Sequence, residues 1–248
     1  MFMLQFTGKS VDQPSTIRYL TSMGLLDFLK KPAPAPDGPY RDAATNKIYE
    51  LLFCDNVELY RDSVEPPYTY PFDVLLSTAP SSMDLQKIIA DEGAEPRIKA
   101  LAFHLQRKAG HTPASRELLA VIVEVGMDAG LDVLASFSNG TARYINYSGK
   151  LLVWETTNDP EAKALTDDLF EKGMAIVNRI GVWDKPRREH PNKGSVRLSF
   201  IVSDGLYFGE GPIDILFKDA MAAPALDTAT TLMRYVIKKS LEDGQMKA

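Results

Sequence analysis

The feature that most constrains this chain is a change in its hydrophobic periodicity near residue 115. Up to that point apolar residues recur at three- and four-residue spacing, which is typical of one face of a helix. Beyond it, β-branched or alternating runs bounded by turn residues predict four antiparallel strands, over 118–126, 131–137, 141–147 and 151–156. Asn139-Gly140 predicts a type I′ turn between the second and third strands, because that turn needs positive φ at both central positions.

A helix, a second group of strands and a final helix follow this meander. Asp159-Pro160 is typical of a helix N-cap and first turn. The later periodic stretches predict strands over 196–202, 206–208 and 213–217 and a closing helix over 227–241. The tetrapeptide Gly209-Glu-Gly-Pro212 is interpreted as a turn or bulge, because it is too short for a phosphate-binding loop. Hairpin strands with helices between the groups indicate an α+β fold, in which helices stack on an antiparallel sheet in two layers.

A proline-rich stretch divides the helical part that precedes the sheet. Four prolines between Pro32 and Pro39 cannot continue a helix and favour an extended linker over 32–39. We therefore predict a helical N-terminal part followed by a sheet domain. The predicted parts are an N-terminal strand and helix over 1–31, the linker, a helical region over 40–115, and a domain over 116–248 with a four-stranded meander, a helix, two to three strands and a helix.

Charge, cysteine content and hydropathy exclude several classes of protein. The chain has 28 Lys and Arg against 33 Asp and Glu with no basic half, which disfavours nucleic-acid binding, because such proteins concentrate cations against phosphates. A single cysteine, Cys54, excludes an intramolecular disulfide and a multi-cysteine zinc site, and its apolar neighbours predict a small buried residue. The first residues have no basic region and no long apolar run, so we expect no signal peptide, and the sequence has no run of about 18 apolar residues. We expect a cytoplasmic protein with no cofactor, no metal and no membrane contact.

Enzyme motifs are missing, and the candidate catalytic residues are weak. The sequence has neither a phosphate loop nor the Gly-x-Ser-x-Gly elbow of serine hydrolases. Glu124, Asp128 and His111 are the candidates, because carboxylates and histidine perform general acid–base catalysis and carboxylates hold hard cations. The Asp-Ala-Gly turn at 128–130 explains its aspartate without any catalysis. These three residues define an alternative hypothesis, a small-substrate hydrolase or transferase with an acidic or metal-assisted site.

The most concentrated positive charge lies in the segment 185–194. Arg187, Arg188, His190 and Lys193 could receive a phosphate or an acidic partner there. The alternative interpretation is a solvated connection between a helix and a strand.

Large aromatic residues on the predicted meander are the second indication of binding. Tyr144 and Trp154 lie on adjacent strands whose large side chains project to both faces. One face is expected beneath helices, and the other predicts an aromatic surface, which monomers rarely leave uncovered. The N-terminal helices or a second subunit would cover it.

These observations favour a cytosolic, non-enzymatic protein-binding protein, chaperone-like or regulatory, that works as a homodimer or as a subunit of a complex. Over about the last 150 residues, the order of elements is similar to the layout of small acidic secretion chaperones, with no matching residues. The alternatives are the hydrolase or transferase described above and, third, a nucleic-acid-associated factor that uses the basic segment.

Overall fold

One antiparallel sheet organises residues 38–61 and 64–242, the part of the chain that the computed structural model describes. Its strands are β1 (Leu118–Gly126), β2 (Leu131–Phe137), β3 (Ala142–Ile145), β4 (Leu151–Trp154), β5 (Ser195–Val202) and β6 (Gly205–Pro212). They lie in the order β4-β3-β2-β1-β5-β6. The predicted α+β fold with an antiparallel meander is confirmed. The predicted N-terminal strand and helix, and the linker up to residue 37, lie outside the described residues.

The helices of the described residues fall into two groups, one before and one after the meander. They are α1 (Ala43–Leu51), α2 (Glu58–Arg61), α3 (Phe72–Leu75), α4 (Ser82–Ala90), α5 (Pro96–Lys108), α6 (Pro160–Val177), α7 (Ile213–Leu216) and α8 (Ala223–Glu242). The helix α6 begins where predicted, because the Asp159 carboxylate accepts hydrogen bonds from two first-turn amides and Pro160 needs none. Among the described residues, no helix combines the length and apolar character that a membrane span requires.

Each face of the sheet has its own helical cover, so the described chain has three layers. Successive side chains of a strand project to opposite faces. Ile122 of β1 therefore packs among residues of α1 to α5, and its neighbour Val121 packs among residues of α6 and α8. We call these the N-helix face and the C-helix face. The predicted helical region thus covers the face of the sheet that α6 and α8 leave open.

The hairpin between β2 and β3 forms as predicted, but its predicted turn type is wrong. Gly140 has φ +88°, and its N–H donates to the carbonyl of Phe137 at 2.9 Å. The N–H of Phe137 donates to the carbonyl of Thr141 at 2.9 Å, which closes a three-residue loop. Cys54 is the one non-glycine residue with positive φ in the described ranges, so Asn139 does not adopt the conformation of a type I′ turn. The loop is a tight turn followed by a glycine bulge.

The structure also corrects the interpretation of residues 209–217. The stretch 209–212 continues β6 instead of turning, because it pairs with β5 as far as Ser195 opposite Pro212. Pro212 has no N–H with which to extend the ladder, and 213–216 form the short helix α7 rather than a strand. The closing helix α8 begins at Ala223, four residues before its predicted start.

Candidate functional site

The three candidate catalytic residues lie apart from one another. His111 is exposed before β1, Asp128 is exposed after it, and Glu124 is fully buried within it. The nine residues of β1 span about 27 Å at about 3.4 Å per residue. His111 precedes the first residue of this strand and Asp128 follows the last one, so the strand separates them. No cluster of His, Cys, Asp and Glu suited to a metal ion occurs among the described residues. The structure does not assemble these residues into one site.

Glu124 is held by groups of its own chain. The Tyr49 hydroxyl donates to its Oε1 at 2.6 Å, and the Ser199 hydroxyl donates to Oε2 at 3.4 Å. The Arg197 guanidinium lies 3.8 Å from Oε2. Burial raises the pKa of Glu124, while Arg197 and Tyr49 oppose that rise. The carboxyl group connects α1 to β1 and β5 and has no access to solvent.

Arg187 fixes the basic segment to the helical layer. It forms ion pairs with Glu50 and Asp55, the latter at 3.0 Å between Nε and Oδ2. Its guanidinium carbon lies 3.9 Å from the centre of the Phe53 ring, and 16% of the side chain is exposed. Arg187 therefore clamps residues 182–187 against the turn that follows α1.

The other three residues of the predicted basic binding site are exposed. The Nη1 of Arg188 lies 3.8 Å from Oε2 of Glu210. Lys193 forms an ion pair with Asp128. His190 is exposed.

The aromatic candidates belong to the C-helix face. Trp154 is 3% exposed and meets the Tyr235 ring of α8 edge-on, with ring centres 6.4 Å apart. Tyr144 is half-buried, and its hydroxyl donates to Asp132 at 3.4 Å. The helix α8 of the chain itself therefore contacts Trp154, and Tyr144 packs at the edge of the same core.

A half-open cleft of about 690 Å³ lies beside the turn between β5 and β6. Four segments that are distant in sequence line it: the turn after α1, one side of α5, residues 182–187 and the β5–β6 turn. The lining residues used below are Phe53, Cys54, Asp55, Ala100, His104, Arg107, Lys108, Val182, Trp183, Asp184, Lys185, Arg187, Ile201 and Asp204.

The floor of the cleft is apolar and one wall is aromatic. Phe53, Ala100 and Ile201 are buried members of the core on the N-helix face. The Trp183 ring meets the Phe208 ring edge-on at 5.0 Å between centres, and its Nε1 donates to a backbone carbonyl at 2.9 Å. These contacts hold the indole in place at the side of the cleft.

The rim carries four cations and three carboxylates. Asp55 is paired with Arg187, and Asp204 with Arg116 at 2.9 Å. Lys108 and Lys185 are exposed, and no carboxylate of the described residues lies at ion-pair distance from either. Arg107 and Asp184 are the other charged residues of the rim. The rim therefore has an excess of positive charge in a chain whose net charge is −5.

The environment of the cleft shifts the pKa values of two of its residues, His104 and Cys54. Burial, together with Arg107 and Lys108, lowers the pKa of His104 to about 4, so the imidazole is neutral at pH 7. Burial raises the pKa of the Cys54 thiol to about 12, which keeps it protonated and unreactive. Cys54 also has φ +52°, a conformation that is uncommon outside glycine and is concentrated at tight turns and binding sites.

The sequence analysis identified Arg187 but missed the residues that α5 contributes. His104, Arg107 and Lys108 are spaced by three and four residues, which places them on one side of a helix. That spacing could have predicted a basic side of this helix. Nothing in the sequence indicated that this side lines the same cleft as Lys185.

Comparison with protein-family models, with curated proteins and with solved structures finds no match.

Proposed function

We propose that this protein is a non-enzymatic binding protein and that it holds an acidic partner at the cleft. The observation that carries the proposal is the convergence of Arg107, Lys108 and Lys185 around an apolar floor, from two segments far apart in sequence. A concave apolar site with a few convergent polar groups is typical of ligand binding.

The placement of the reactive groups favours binding over hydrolysis or group transfer. Glu124 is enclosed by Tyr49 and Arg197, and Asp128 is paired with Lys193 at the surface. Within the cleft, a histidine whose pKa is about 4 is a poor proton acceptor at neutral pH. A thiol that stays protonated is a poor nucleophile. The lining residues are suited to recognition.

Electrostatic attraction supports an acidic partner. The two lysines line the cleft from different segments, Lys108 from α5 and Lys185 from the clamped segment 182–187. An anion between them would interact with both. Because these charges are partly solvated, the interaction should weaken as salt shortens the screening length. The predicted self-association, the place in a complex and the cytoplasmic location stay predictions.

The test is native mass spectrometry of the protein isolated at its own expression level from its source cells. We expect the wild-type chain to retain an added mass that a Lys108→Glu/Lys185→Glu variant loses. Lys238→Glu is the matched control, because Lys238 is equally a surface lysine but lies on α8, on the opposite face of the sheet. A bare wild-type chain, or the same added mass on the wild type and the cleft variant, would contradict the proposal.

A further inference from the structure

The size of the cleft indicates what kind of partner enters it. Its volume of about 690 Å³ lies within the range of about 300–1,000 Å³ that is usual for pockets holding small molecules. A volume in this range suits a compact ligand.

The lining of the cleft indicates that part of this ligand is apolar. Phe53 and Ile201 are buried, so the apolar lining that solvent reaches includes Val182, which is 49% exposed, and the half-buried indole of Trp183. Apolar surface of this kind is covered favourably by a hydrocarbon or aromatic body, which removes it from water. The Nζ of Lys185 lies 5.6 Å from the centre of the Trp183 ring, so an anion whose apolar body contacts the indole lies within reach of this ammonium group.

The rim indicates that another part of the ligand is negatively charged. Lys108 and Lys185 are exposed, and no carboxylate of the described residues lies at ion-pair distance from either. Arg107 donates through Nη1 to the Ser203 carbonyl at 2.6 Å, which fixes its guanidinium at the edge of the cleft. Ammonium and guanidinium groups form charge-assisted hydrogen bonds with carboxylate, sulfonate and phosphate oxygens.

Resting on the proposed binding function, we infer that the cleft takes a small organic anion. Its acidic group is held by Lys108 and Lys185, and its aromatic or branched apolar body lies against Val182 and Trp183. His104 also lines the cleft and is half-buried, and as a neutral imidazole it offers one hydrogen-bond donor and one acceptor to the ligand.

A pair of fluorescent probes separates charge from hydrophobicity. 8-Anilinonaphthalene-1-sulfonate has the required anion and aromatic body, whereas N-phenyl-1-naphthylamine has nearly the same body without the charge. We expect the full chain to bind the sulfonate at one site and at least about tenfold more tightly than the amine, as expected for a charge-assisted contact.

Variants then locate the charge preference. Lys108→Gln/Lys185→Gln should weaken binding of the sulfonate about tenfold and leave binding of the neutral amine unchanged. Lys238→Gln should change neither. The inference is overturned if the wild type binds the two probes equally, or if the double variant weakens both to the same extent.

Energy transfer from tryptophan locates the apolar body. The chain has two tryptophans, of which Trp183 lines the cleft and Trp154 is buried on the other face of the sheet. Transfer to the bound sulfonate should fall in Trp183→Phe and persist in Trp154→Phe. The reverse result would place the probe elsewhere and overturn the inference.

Competition separates this inference from the proposed function. Naphthalene-1-carboxylate should displace the sulfonate probe, whereas inorganic sulfate and a hexaglutamate peptide should do so at least about tenfold less well. Displacement by hexaglutamate that equals or exceeds that by naphthalene-1-carboxylate would overturn the small-anion inference and leave the proposed binding of an acidic partner standing. Failure of every anion to bind would contradict both.

Discussion

The two faces of the sheet are covered in different ways. The C-helix face carries two long helices, α6 with 18 residues and α8 with 20, over a continuous apolar core. The N-helix face carries five helices of 4 to 13 residues, encloses the carboxyl group of Glu124 and opens into the cleft. Long amphipathic helices can cover a sheet without gaps, whereas short helices with turns between them leave recesses at their ends. The cleft lies on the N-helix face, which is covered by short helices and the turns between them.

The largest expected effect on the free energy of unfolding tests whether the apolar cores on the two faces of the sheet contribute equally to stability. Leu101 of α5 and Leu169 of α6 are fully buried on opposite faces. Replacing either with Ala should lower the free energy of unfolding by about 3 kcal/mol, since each change removes buried methyl groups and leaves a cavity. Urea denaturation of the two variants gives the comparison. A loss at Leu101 below a third of that at Leu169 would mean that the N-helix face is only loosely attached.

The next largest effect on stability is expected at the buried Glu124 of the N-helix face. Glu124→Ala should cost about 3 kcal/mol, because it leaves the Tyr49 hydroxyl and the Arg197 guanidinium without this acceptor. Glu124→Gln should cost about 1 kcal/mol or less, because an amide oxygen still accepts from Tyr49. Equal stability of the two variants in chemical denaturation would contradict the described contacts.

A smaller effect is expected from the clamp beside the cleft. Arg187→Gln removes two ion pairs and the contact with the Phe53 ring, and should lower the free energy of unfolding by about 2 kcal/mol, between the values for exposed and buried pairs. Amides of 182–187 should then exchange hydrogen faster than in the wild type. Arg188→Gln is the control, because Arg188 is exposed and its carboxylate is 3.8 Å away. Similar exchange rates in both variants would rule out the clamp.

The smallest effect is a pH dependence that arises from His104. Because its pKa falls from 6.5 to about 4 on folding, the unfolded chain binds more protons between those values, and stability decreases as pH falls through this window. After allowance for solvent screening, we expect the wild type to lose about 1 kcal/mol more than His104→Gln between pH 7 and pH 4.5. Urea midpoints at the two pH values measure this difference. Identical losses would show that His104 is not shielded.

Local patterns predicted the elements of the C-helix face and the meander well. The strands β1 and β2 have the predicted bounds, because each is a β-branched or alternating run that ends at turn residues. The helix α6 starts as predicted because Asp159 and Pro160 act within one turn. In contrast, 209–212 was interpreted as a turn, although its pairing with β5 makes it a strand. Glu210 lies opposite Arg197 of β5, which is 13 positions earlier in the chain and donates to its carboxylate.

The cleft could not be predicted because its parts are joined only by tertiary contacts. Periodicity shows that α5 has a polar side, but not what that side faces. The basic segment was recognised by its composition. Its division into the half-buried Arg187 and the exposed Arg188 depends on Glu50 and Asp55, which lie more than 130 positions away and pair with Arg187.

The place of β1 at the centre of the sheet has a consequence for the order of folding during synthesis. Val125 pairs with Asp132, seven positions along the chain, and with Val196, 71 positions along. The meander can therefore form while one edge of β1 is still open, because loop closure over the longer distance is slower. An open apolar strand is a template for pairing with other chains. Glu124 is the single charged residue of β1, and at that stage its carboxylate would oppose such pairing between nascent copies.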